Sequence, residues 1–175
     1  MTFMNKLEKT PHAKPGDIFL ELSFGEQIFL WGIRIWVSGY RNDTNIQDML
    51  RLAYTHAGVP KAHTELNTMM EVITTAAFGV MDVRCPSCTK VSDDELLLMS
   101  AIAAWQHGSS PHDGDIYLEC WAKPTTLRIL RPIARTLAIV LRDGGVLIRP
   151  RPWSLNLPSP SRQNTRNRFQ SVTIH

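Results

Sequence analysis

The sequence predicts an all-α fold: a compact bundle of five to six helices followed by a disordered basic C-terminal tail. Three observations carry this expectation. Apolar residues recur at helical spacing through most of residues 24–142. Two Ser-x-x-Glu capping boxes, Ser23 with Glu26 and Ser92 with Glu95, mark helix starts. Strand-forming runs are too few to build a sheet.

Residues 1–16 are polar and read as a flexible N-terminus, with Pro15-Gly16 punctuating the entry. Residues 17–148 form the helical domain. Asp17 to Leu22 reads as a helical turn. The first full helix starts after Ser23, carries a broad apolar stripe through Ile28, Trp31 and Ile35, and is expected to end at Gly39. Asn42 to Asn45 is a turn. Ile46, Met49, Leu50, Ala53 and Ala57 make the stripe of a second helix, which Gly58 stops. Pro60 restarts the chain, and a third helix is expected from Lys61 to Phe78.

Val80 to Arg84 is an extended connector. A fourth helix, capped by Ser92, runs to about Gln106, and Asp93 and Asp94 favour its positive dipole end. Asp115 to Ala122 reads as a short helix. Pro132 interrupts an apolar stripe between Thr126 and Arg142, so the last helix is expected to start there, covering Pro132 to Arg142. Gly144-Gly145 ends it. Val146 to Ile148 is a short strand or an apolar latch. Residues 149–175 hold prolines, arginines, serines and asparagines and read as the disordered tail.

Charge divides the chain. Its net charge is +3, yet residues 149–175 hold five arginines (Arg149, Arg151, Arg162, Arg166, Arg168) and no acid. The remainder holds 14 basic and 16 acidic residues, so net charge gives the body no pull on nucleic acid or anionic lipid. No signal peptide is read in Met1 to Gly16. The most apolar window, Ile28 to Val37, is too short for a bilayer and contains Arg34. The expected setting is cytoplasmic, with reduced thiols and no membrane partner.

The clearest local motif is Cys85-Pro86-Ser87-Cys88. Two thiolates at this spacing can chelate zinc, with Cys120 as third ligand and His107 or His112 as fourth. The pair can also act as a redox dithiol, although no βαβ pattern accompanies it. The plain alternative is a packed connector.

The segment from Leu50 to Val72, with the turn Ala57-Gly58-Val59-Pro60-Lys61, resembles the helix-turn-helix of bacterial repressors. That resemblance implies a nucleic-acid-binding helix pair within residues 46–77, presenting Lys61, His63, Thr64, Asn67 and Thr68. The tail, with Trp153 beside its arginines, offers a second partner-binding surface. No catalytic constellation is visible, so an enzyme is not expected. The leading expectation is a small regulatory or adaptor protein that binds another macromolecule, in the first place a protein. It carries a zinc or redox-sensitive cysteine site, and an oligomer is compatible with its apolar first helix. The alternatives are a DNA-binding regulator and a thiol–disulfide oxidoreductase.

Overall fold

The computed structural model describes residues 18–151. They form a helical bundle: α1 (Phe24–Asn42), α2 (Gln47–His56), α3 (Ala62–Ala76), α4 (Asp93–His107), α5 (Asp115–Leu118) and α6 (Pro124–Asp143). A 3-10 turn, Phe19–Glu21, precedes α1. The described residues contain no strand, only an isolated antiparallel bridge between Ile18 and Lys90.

Both predicted capping boxes are present, each with the serine side chain accepting from the glutamate backbone and the glutamate side chain closing back. They set the starts of α1 and α4 by satisfying backbone donors that have no partner within the helix. Helix α3 packs on α6, α1 and α2, while α4 packs on α6, α5 and α1. The core between them is filled by Phe29, Leu30 and Ile33 of α1, Leu66 and Met70 of α3, Leu98 and Ile102 of α4, and Leu130, Leu137 and Leu141 of α6.

Several helix boundaries differ from the sequence expectation. Helix α1 does not stop at Gly39. A side chain there would meet Ile46 at 2.6 Å, so this glycine serves the close approach of the turn that leads into α2. The helix ends three residues later, where Asp43 takes the left-handed conformation (φ 49°). Nor does a new helix begin at Pro132. The last helix starts at Pro124, its N1 residue, and runs through Pro132 to Asp143. Pro132 lies on the exposed side, where the carbonyl it frees can face water. An interior proline costs about 3 kcal/mol. Each fully buried leucine contributes about 1.5–3 kcal/mol, and Leu127 and Leu130 before the proline share one buried stripe with Leu137 and Leu141 after it. Continuous packing outweighs the break. Helix α5 is also shorter than expected, because the chain after Leu118 closes into turns on the Leu118 carbonyl.

After Gly145 the chain forms an apolar latch rather than a strand. Val146 and Ile148 are buried. The buried Gln106 amide reads this segment as a neighbouring strand would: its Nε2 donates to the Val146 carbonyl (2.9 Å), and its Oε1 accepts from the Ile148 N–H (2.8 Å). The strap passes directly over Gly25, where an added Cβ would stand 2.3 Å from the Leu147 carbonyl oxygen. Backbone blocks that position on one side and the helix holds it on the other. Gly25→Ala is therefore expected to destabilise the protein by about 1–3 kcal/mol in urea unfolding. An unchanged midpoint would show that the strap is not seated there.

Candidate functional site

The cysteine motif sits on an exposed loop between α3 and α4. Cys85 and Cys88 are joined in a disulfide (S–S 2.09 Å), closing a turn in which the Cys88 N–H donates to the Cys85 carbonyl (3.0 Å). Cys85 is exposed and Cys88 half-buried. The loop is bridged to the residues before α1, where the Phe19 N–H donates to the Thr89 carbonyl (2.7 Å).

What anchors this loop is Arg34, from the middle of α1. Its side chain and that of Glu95 are both fully buried. Arg34 Nε and Nη2 donate to the two Glu95 carboxylate oxygens (2.8 and 2.9 Å). Nη1 donates to the Cys88 carbonyl (2.6 Å) and Nη2 also to the Lys90 carbonyl (2.8 Å). The Phe19 ring covers the guanidinium at 5.1 Å. Glu95 accepts in addition from the Arg84 N–H (3.0 Å) and, as the closing half of the α4 capping box, from the Ser92 N–H (2.9 Å). One buried ion pair thus holds both ends of the cysteine loop and the start of α4.

The expected zinc set is not brought together. Two of its sulfurs are bonded to each other, and no group of three or more His, Cys, Asp or Glu side chains among the described residues is placed to hold a metal ion. Cys120 lies after α5, where its thiol donates to the Tyr117 carbonyl (3.6 Å). Burial of the thiol and the nearby Asp94 carboxylate push its pKa up to about 12. His107 bonds through Nε2 to the Ile148 carbonyl (3.0 Å) and so holds the strap. His112 pairs through Nδ1 with Asp115 (3.0 Å). Cys85 and Cys88 stand as a disulfide in this structure, across a tight turn that sets their α-carbons 5.2 Å apart, within bonding reach.

Comparison with known protein families, curated proteins and solved structures finds no match to this chain. Its site is therefore read from its own chemistry.

Arg149 and Arg151, assigned from sequence to the tail, belong to the folded strap instead. Both reach the fully buried Glu26: Arg149 Nη2 lies 2.9 Å from Oε2 and Arg151 Nη2 2.6 Å from Oε1. The folded region thus extends past residue 148 because Glu26 needs positive partners. Trp153, Arg162, Arg166 and Arg168 lie outside the described residues. Trp36, Trp105 and Trp121 are buried in the core, and Trp31 is half-buried against it.

The helix pair that resembles a helix-turn-helix is present as α2 and α3, with Gly58 supplying the positive φ (79°) of the turn. Of its expected face, Lys61 and Thr64 are exposed and His63, Asn67 and Thr68 are half-buried. The His63 ring contacts the Pro60 carbonyl, the Thr68 hydroxyl donates to the Thr64 carbonyl (3.0 Å), and Asn67 Oδ1 accepts from Trp36 Nε1 (2.8 Å). No helix among the described residues is long and apolar enough to cross a membrane.

Sequence reasoning missed the anchoring roles of Arg34, Glu95 and Glu26. A signal was available in the arginine inside the most apolar window. A charge at that place demands a buried partner.

Removing one member of such a pair leaves an uncompensated buried charge. Arg34→Met is expected to cost about 3–5 kcal/mol in chemical unfolding, and a cost below about 1 kcal/mol would show that the pair anchors nothing. The strap gives a pH-dependent prediction. Burial opposes ionisation of Glu26, but Arg149, Arg151 and the Ser23 donors outweigh it and hold its carboxyl below the ordinary 4.5. A depressed folded-state value stabilises the protein above the ordinary value and is lost as pH falls through the folded one. Acidification below 4.5 is expected to release the strap, read as loss of amide protection at Ile148 and Arg149. In Glu26→Gln that acid step should disappear.

Proposed function

We propose that this protein is a helical regulatory or adaptor protein that acts by binding another macromolecule, with the Cys85–Cys88 loop as its redox-sensitive element. The observation that carries this reading is the contrast between the ends of one structure. The disulfide is exposed at Cys85, while the carbonyls of Cys88 and Lys90 are held by an arginine with no exposed surface. A thiol–disulfide change at the surface therefore acts on the same residues that fix the start of α4. Redox control of a binding surface needs such a coupling.

The surroundings favour binding over acid–base chemistry. Asp115 is held low by Arg131 and His112 against the cost of its burial, and Glu26 by the strap arginines. Both carboxylates are committed to ion pairs that position structure. The apolar side chains of Leu20, Phe24, Met49, Leu52 and Phe78 are exposed and available to a partner.

Thiol–disulfide oxidoreduction is the second reading, favoured by the exposure of Cys85. Against it, α4 begins at Asp93, five residues beyond Cys88, too far for its dipole to activate a thiolate. One set of measurements separates the two. Oxidised and reduced protein are compared by hydrogen exchange, and both are assayed for catalysed reduction of a protein disulfide substrate. The regulatory reading expects faster exchange at residues 84–95 on reduction, no change in α6, and no catalysis. Identical exchange in both states, and in Cys85→Ser, would sink it. Catalysis lost in Cys85→Ser would establish the oxidoreductase instead.

A further inference from the structure

At the end of the bundle away from the strap, α1, the turn after it and α3 enclose an open cleft of about 470 Å³, within the size range of ligand sites. Its construction is independent of the cysteine loop. One wall is aromatic: Trp36 and Tyr40, one helical turn apart, stack with centroids 5.3 Å apart and planes at 11°. Trp36 is buried behind, while Tyr40 is 62 % exposed and presents its other face outward. Trp36 Nε1 donates to Asn67 Oδ1 (2.8 Å), as does Gln47 Nε2 (2.7 Å), and Asn67 Nδ2 donates to Glu71 Oε1 (2.8 Å). A single amide thus fixes the indole, the next helix and a carboxylate.

The charge of this cleft has one sign. Asp43 and Glu71 line it, both exposed, and no Lys, Arg or His does. Among the described residues, neither carboxylate has an ion-pair partner. An aromatic face beside carboxylates complements a flat cation. A guanidinium stacks on the ring and presents paired N–H donors to a carboxylate in one plane, which an ammonium cannot do.

We propose that this cleft is a docking site for an arginine side chain of a partner polypeptide, stacked on Tyr40 and paired with Glu71 or Asp43. A polypeptide suits the place because the cleft is an open groove whose floor includes the Thr44–Asn45 turn, polar groups that a peptide backbone can meet.

The test is calorimetric titration of the full chain with a blocked Gly-Arg-Gly peptide, its citrulline counterpart and guanidinium ion. Citrulline keeps the shape and removes the charge. Saturable binding of the arginine peptide, with no saturation by citrulline peptide, is expected. Tyr40→Ala and Glu71→Gln should each weaken it roughly three- to tenfold, and both positions are exposed, so the fold should tolerate them. Absence of saturation at about 10 mM overturns the proposal, since that lies beyond any useful affinity. Equal binding of the citrulline peptide, or unchanged affinity in both variants, also overturns it. Guanidinium ion binding as tightly as the peptide would overturn the polypeptide source and make the cleft a small-cation site.

Discussion

Arg34 carries a full positive charge with no exposed surface, and the rest of the bundle is arranged to make that tolerable. An isolated buried cation is very costly, so the guanidinium must find acceptors on several sides. It finds a bidentate carboxylate from α4 and two carbonyls from the cysteine loop. The consequence is mechanical. The loop between α3 and α4 has no regular secondary structure of its own, yet its path is fixed by donors that come from the middle of α1. Glu95 also receives two backbone N–H groups, so the capping of α4 and the placement of the disulfide depend on one pair.

Glu26 repeats the logic with the opposite sign. It closes the capping box of α1 and is fully buried, and two arginines from the C-terminal strap neutralise it. Both capping-box glutamates therefore do two things: they satisfy backbone donors locally, and they collect an arginine from a distant part of the chain. These long-range pairs connect the loop and the strap to α1, which lies across both. The helices themselves are held by apolar packing. The irregular segments bury a few apolar side chains, Met81, Val83, Val146 and Ile148 among them, and add charge and hydrogen bonds to that packing.

Much of the helical framework was legible in the sequence, because its causes are local. Ser23 with Glu26 and Ser92 with Glu95 announce helix starts within four residues. Gly58 was read as a stop, and it adopts positive φ. Pro132 and Gly39 misled for one shared reason. Each has an intrinsic preference to end a helix, and each sits where burial along the helix, or close packing against a turn, overrides that preference. The candidate site was half legible. Cys85 and Cys88 stand out by spacing alone, whereas Cys120, His107 and His112 were grouped with them only by residue type, and the fold gives each a separate neighbourhood.

By itself the sequence determined the fold class, the order of the helices, and the position of the cysteine loop. Helical periodicity and capping act over a few residues and leave a direct trace in the chain. Only the tertiary structure decided that Arg34 serves Glu95, 61 positions away, that Arg149 and Arg151 fold back onto Glu26, and that Trp36, Tyr40 and Glu71 share one acidic aromatic cleft. Those pairings follow from which surfaces are desolvated when helices pack. That is a property of three-dimensional burial, and no spacing along a single chain encodes it.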